Sequence, residues 1–328
     1  MKHRRIDART IELAAAGAGM HLDADETASF ARSLEHVNQQ VFEVRYPDLK
    51  GTALVPVNGA VDPGADFYTW TLYDRFGRAA RIENMADDFP RVDAKGEQFT
   101  TPVKSYGDAY AYTVQDLRRA SLAQKMGLGY LDLDTRRAMA AREAIARKID
   151  SVIAFGDSEV GIPGFLNNAN VPIPAVAVGT WENAARTGEE ILRDVFKLER
   201  AIITDTKDVE QPDTLLLPPS LMAIFATKPA SATVPTVSCL EYFLQKARYI
   251  RQVESWYHLE TASAGNAQRI VAYRRDPQKV EAVLPIEFEQ LPPQARNLAF
   301  TINCHSRCGG TVFHYPHSAS YMDGCGGA

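Results

Sequence analysis

The chain has 328 residues with 41 acidic against 36 basic side chains, a formal charge of −5, so it is long enough for more than one apolar core and has no basic block to neutralise a phosphate backbone. Four cysteines are too few for a disulfide scaffold, and no apolar run reaches the ~18 residues of a membrane span. Asp7 and Glu12 interrupt any signal-like run near the start, so the expected setting is reducing and cytoplasmic, without membrane contact or tight nucleic-acid binding.

In chain order, residues 1–50 are polar with scattered Phe30, Leu34, Val41, Phe42 and Val44, which suits an arm with a short helix and no core of its own. From Gly51 to Thr113 the pattern is extended. Tyr68, Trp70 and Leu72 alternate with Phe67, Thr69, Thr71 and Tyr73, and Tyr106, Tyr110 and Tyr112 share one face. About sixty residues of strand and turn without a helix do not readily bury themselves, because a lone hairpin is marginally stable in water. Two readings stand side by side at this point, a projecting arm that packs on something else and a small antiparallel sheet of the main domain.

Helices follow. Thr113 caps Val114 to Met126, and Asp134 caps a longer segment, TRRAMAAREAIARKIDSVIAF, closed by Gly156. Its apolar stripe is Ala138, Ala141, Ile145, Ile149 and Val152. Another helix starts at the capping box Thr187 to Glu190. After Pro212 come the strand TLLLP, a helix around SLMAIFAT, a second capping box at Ser238 to Glu241 and the strand RIVAYRR, so 212–276 reads as a compact α/β lobe. Residues 277–328 return to strands: VEAVLPIEFEQ, a Pro292-Pro293 turn, NLAFTINCH and TVFHYPH.

Few motifs suggest chemistry. AGAG at 16–19 has Leu22 where a dinucleotide loop needs its third glycine, and Ser158 in FGDSEVG lacks nucleophile-elbow spacing. The pairs Asp87-Asp88 and Glu189-Glu190 read as solvated faces or helix-start charges. The stretch INCHSRCGGTVFHYPH, with Cys325 beyond it, is the one cluster of soft ligands. Strand alternation places Leu298, Phe300, Ile302 and Cys304 on one face and Asn303 and His305 on the other, with Cys308 roughly 13 Å beyond Cys304 if the strand continues. CxxxC followed by HxxH also misses the usual zinc spacings. No metal, no cofactor and no catalytic residue is therefore expected. A metal-dependent enzyme using the Cys304 to Cys325 cluster is the rival from another class.

The phrases FARSLEHVNQQVFEVRYPDL, YDRFGRAA, ADDFPRVD, VKSYGDAYAYTVQDLRRA, FGDSEVGIPGFLN, PDTLLLPP, VAYRRDP, FEQLPPQ and CHSRCGG, in this order from Phe30 to Asp323, make the chain resemble the major capsid proteins of tailed bacteriophages. The resemblance implies an α+β, Hong Kong 97-type capsid fold. Residues 1–50 would be the N-terminal arm and 51–112 an extended β-hairpin loop overlapping a neighbouring subunit. Residues 113–211 would form a peripheral domain with a spine helix at 135–155, 212–276 an axial domain, and 277–328 the last strands of the peripheral domain. It also implies a virion protein, assembled in the host bacterial cytoplasm as hexamers and pentamers of an icosahedral head around double-stranded DNA. Portal and scaffolding or decoration proteins would be its partners, and contact with the DNA would be weak and non-specific. An encapsulin-like compartment is the nearest rival. Intersubunit contacts are expected at Trp70, Leu72, Arg75, Phe76, Arg78, Arg81, Asp87, Asp88, Phe89, Arg91 and Lys95. Lys95 and Lys104 stand in the loop, but no local motif marks an asparagine partner for covalent cross-linking, so that activity is not carried over.

Overall fold

The computed structural model describes residues 46–76, 93–125, 133–174, 179–231 and 234–326. Nearly all of the expected N-terminal arm lies outside them. A short helix, α1 (Gly51–Leu54), leads into β1 (Val57–Asn58), then β2 (Phe67–Phe76), β3 (Asp93–Pro102) and β4 (Lys104–Thr113). Helices α2 (Val114–Lys125), α3 (Leu133–Phe155) and α4 (Gly188–Asp205) follow, then β5 (Thr214–Leu217), α5 (Pro219–Thr227), β6 (Pro229–Ser231) and β7 (Val234–Ser238). The chain closes with α6 (Cys239–Lys246), β8 (Gln252–Ser255), β9 (Arg269–Tyr273), β10 (Val280–Val283), β11 (Ile286–Gln290), β12 (Gln294–Arg296), β13 (Ala299–Cys308), β14 (Gly310–Phe313) and β15 (Ala319–Asp323). The class is α+β, as expected.

The local signals for helix starts hold. Thr113 accepts from the Asp116 amide at 3.1 Å while Asp116 accepts from the Thr113 amide at 3.2 Å, closing the first turn of α2. Both predicted capping boxes are present, at Thr187/Glu190 and Ser238/Glu241. The long helix begins at Leu133, however, so Asp134 sits inside its first turn and not at the cap. Gly156 ends that helix with φ 72°, and a Cβ there would meet the Ile162 carbonyl oxygen at 2.1 Å, so only glycine allows the chain to fold back this closely.

Two apolar cores lie on opposite faces of one sheet, ordered β15-β9-β5-β8. Leu216, Val271, Tyr273, Ala319 and Tyr321 join the core of α3, with Ile145, Ile149, Val152, Phe165 and Phe313. Leu215, Leu217, Ile270, Ala272 and Met322 join the core of α4, with Ile191, Val195, Leu198, Phe225 and Phe243. This explains why TLLL and RIVAY are continuous apolar runs, since a strand covered on both faces has no side to leave polar.

The cores do not follow the segment boundaries at 212 and 276. Helix α4 enters the second core from upstream, and β15 enters its sheet from downstream, pairing with β9 from Ala319 opposite Tyr273 to Asp323 opposite Arg269. Sequence pattern had not separated β15 as a strand of this sheet. VEAVLPIEFEQ also splits at Pro285: β10 pairs with β1 and β14, whereas β11 pairs with β13. Strand β13 pairs along its full length with β4, Ala299 opposite Thr113 through Cys308 opposite Lys104. Residues 104–113 thus belong to a four-stranded sheet of the body, and Tyr106, Tyr110 and Tyr112 pack on the first core.

Candidate functional site

Strands β2 and β3 form a separate two-stranded hairpin, paired from Phe67 opposite Pro102 to Phe76 opposite Asp93. Its alternation is the predicted one: Tyr68, Trp70 and Leu72 are half-buried, while Phe67 and Tyr73 stand 63% and 71% exposed with Thr69 and Thr71 between them. Gly96 lies opposite Tyr73, and a Cβ there would come within 2.9 Å of the Tyr73 ring, so the glycine makes room for the aromatic to lie across its neighbour strand.

The half-buried face finds partners within its own chain. Trp70 stacks on Tyr68 and Phe99 at 5.9 and 5.7 Å between ring centres, and the His314 ring meets it edge-on at 5.5 Å. A groove of about 300 Å³ remains beneath it, lined by Leu72, Pro163, Val312, Phe313 and Pro316 among others. Of the expected contact residues, Trp70 and Leu72 lie on this inner face, and Lys95 is exposed on β3 opposite Asp74. Arg75 and Phe76 end β2. Arg78, Arg81, Asp87, Asp88, Phe89 and Arg91 lie outside the described residues. The outward row from Phe67 to Tyr73 was not among the expected contacts, although the same alternation identifies it.

Two polar clusters hold the foot of the hairpin. Glu281 of β10, 6% exposed, accepts hydrogen bonds from Tyr68 Oη at 2.6 Å, Asn58 Nδ2 at 3.0 Å and His314 Nε2 at 3.2 Å. Burial pushes its carboxyl up, but the bonds from His314, Tyr68 and Asn58 outweigh that and hold it below the usual range. Tyr68 is pushed up to about 12 by burial and by the adjacent Glu281 carboxylate. Arg307 of β13 donates to the Pro63 and Ala65 carbonyls at 2.5 and 3.0 Å and to Asp66 at 2.9 Å. Further back, Asp150 of α3 accepts from the Gly51 amide at 2.6 Å and meets His258 Nε2 at 2.8 Å, tying the start of this segment to the first core.

The soft-ligand cluster resolves into a strand. Ile302, Cys304, Ser306 and Cys308 alternate inward along β13, so the two thiols stay four residues apart on one continuous element. Leu298 does not share that face: it sits in the tight turn before β13, after Asn297 at φ 55°, and is 74% exposed. Among the described residues no three His, Cys, Asp or Glu side chains converge as metal ligands. Burial pushes the thiols of Cys304 and Cys308 up, the latter to about 11, which disfavours the thiolate a nucleophile needs. Cys304→Ala is expected to cost about 1 kcal/mol through lost packing alone. Urea unfolding with zinc analysis checks this, and stoichiometric zinc in the parent protein would contradict it.

Among the described residues no helix is long and apolar enough to cross a membrane. Residues 77–325 match the family described as major capsid protein. The fold is similar to the capsid of Myoviridae phage XM1, with a TM-score of 0.78 at 18% identity over 90% of this chain and 98% of that one. It is also similar to the capsid of an empty GTA particle (0.65, 11% identity, 93% and 100% covered) and to a structure of Mycobacterium phage Adephagia (0.61, 12% identity, 94% and 99% covered). No curated protein matches.

Proposed function

Because this chain belongs to the major capsid protein family and has the Hong Kong 97-type fold, making it a structural protein of a phage shell, we propose that its hairpin and its second lobe are the two surfaces by which copies join. The carrying observation is the hairpin's outward row. Phe67 and Tyr73 leave large apolar surface in water on an element with no core of its own, which a neighbouring copy would cover. In this reading residues 1–50 are an arm, the β2–β3 hairpin within the expected 51–112 loop reaches over the neighbour while 51–58 and 104–112 stay with the body, and the lobe around 212–276, completed by α4 and β15, meets its copies around hexamer and pentamer centres. The expected contacts at the hairpin tip, Arg78 to Arg91, are part of the same proposal. Portal and scaffolding or decoration proteins, assembly in the host cytoplasm and a double-stranded DNA content follow from it.

Electron microscopy of the protein expressed alone tests the reading. Shells, tubes or capsomers support it, and a stable monodisperse monomer overturns it. Contact with DNA is expected to be weak, since the chain carries a net −5 without a basic block. Isolated subunits should therefore show no salt-sensitive nanomolar binding in a filter or anisotropy titration.

A further inference from the structure

At the Glu281 carboxylate three segments distant in sequence converge on a fourth: Asn58 of β1, Tyr68 of β2 and His314 after β14 each donate to it. Tyr68 and His314 share Oε1, and Asn58 takes Oε2. Each oxygen already faces a donor, Asn58 Oδ1 is occupied by the Ala60 amide, and the Tyr68 hydroxyl accepts an added proton only by reversing and giving up its own donation. Protonation therefore costs at least one of these bonds and removes the charge that strengthens the rest. His314 cannot take over as acceptor in acid, because an imidazolium only donates. Tyr68 and His314 are the titratable groups facing the carboxylate, and Asn58 is neutral.

Tyr68 and the Trp70 to His314 contact press the inner face of β2 onto the body, and the Tyr68 and Trp70 side chains also pack on Val103, Val283 and Val312. Further ties sit lower, where Arg307 grips 63–66, the Val103 amide donates to the Asp66 carbonyl at 2.8 Å and the Thr101 hydroxyl donates to the Gly309 carbonyl at 3.4 Å. Losing the Glu281 bonds leaves only that apolar contact to hold β2 down above the lower ties, which then act as a pivot. We propose that Glu281 is an acid-released latch: ionised, it holds the hairpin docked on its own subunit, and protonated, it lets β2 and β3 swing about residues 63–66 and 103 while both cores stay folded. The direction follows from linkage. The folded-state carboxyl is held below its ordinary range, so the docking contribution is complete above that range and is lost as pH falls through the lowered value. The inference concerns the subunit and stands independently of the assembly reading.

Pulse-labelled hydrogen exchange on the full-length protein, corrected for intrinsic rates, tests it from neutral pH down into the acid range. A freed two-stranded hairpin is marginal, so undocking should expose its amides. Amides of β2 and β3 should lose roughly tenfold protection or more below the usual carboxyl range, while those of α3 and β5 do not. Glu281→Gln should show that loss already at neutral pH, with no further acid step. Wild-type protection and an unchanged acid step in Glu281→Gln would overturn the latch, as would hairpin and core amides opening together in the parent protein. Should Glu281→Gln fail to fold, Tyr68→Phe decides: hairpin protection reduced at neutral pH supports the latch, and full protection overturns it.

Discussion

Replacing residues 74–97 with a short Gly-Ser link is expected to give a subunit that folds and no longer closes into shells. Neither large core contains a residue of that segment, and the foot of the hairpin, with Tyr68, Trp70 and Phe99, stays in place. Thermal unfolding should therefore remain close to that of the parent. What the replacement removes is reach: the distal part of the paired strands and the tip, with its mixed Arg78, Arg81, Asp87, Asp88 and Arg91 charges. Individual exposed ion pairs contribute only ~0–1 kcal/mol, so single charge changes in the tip should be tolerated where removal of the whole is not. Particle size by electron microscopy, measured beside thermal unfolding, separates the outcomes. Closed shells of normal size would refute the clamp, and loss of the folded state would make the hairpin part of the subunit's own core.

Arg269→Ala is expected to destabilise the subunit by about 3 kcal/mol, because it leaves Asp323 without its cation at the end of a buried ladder. Arg269 is buried and forms a two-pronged pair with Asp323, Nε to Oδ1 and Nη2 to Oδ2 both at 2.7 Å. Its third nitrogen donates to the Leu166 carbonyl, and the guanidinium lies 4.6 Å over the Tyr321 ring. Asp323 remains a quarter exposed, so water relieves part of the loss and the effect falls at the lower end of the range for buried pairs. Arg269→Lys should recover little, since an ammonium cannot reproduce the fork. Urea unfolding checks both, and a loss within 1 kcal/mol for the alanine variant would show that β15 is held by packing alone.

What sequence alone made readable is what neighbours in the chain decide. Thr187 and Ser238 sit three residues before a glutamate and start helices, Tyr68 to Tyr73 alternate, and Cys304 follows Ile302 inward. What it left unread depends on residues far apart in the chain. Glu281 looks like one charge in an apolar strand until Tyr68, Asn58 and His314 arrive from elsewhere. Strand β15 is too short to stand out, and only its pairing with β9 makes it part of a sheet. Leu298 has the parity of Ile302 and Cys304, but the turn at Asn297 delays the start of β13 to Ala299, so the alternation does not extend to it. Trp70 and Leu72 were expected to need a foreign surface, and part of that surface turns out to be their own chain.

The sheet β15-β9-β5-β8 belongs to both cores at once, and this limits how the subunit can deform. Leu215 and Leu216 are adjacent residues on one strand, yet they pack into different interiors, so neither interior can shift without dragging the other through the same backbone. A plank fastened on both sides does not hinge. Strain imposed on such a subunit, from curvature or from pressure within a shell, is therefore carried by the body as a whole and not taken up between its two interiors.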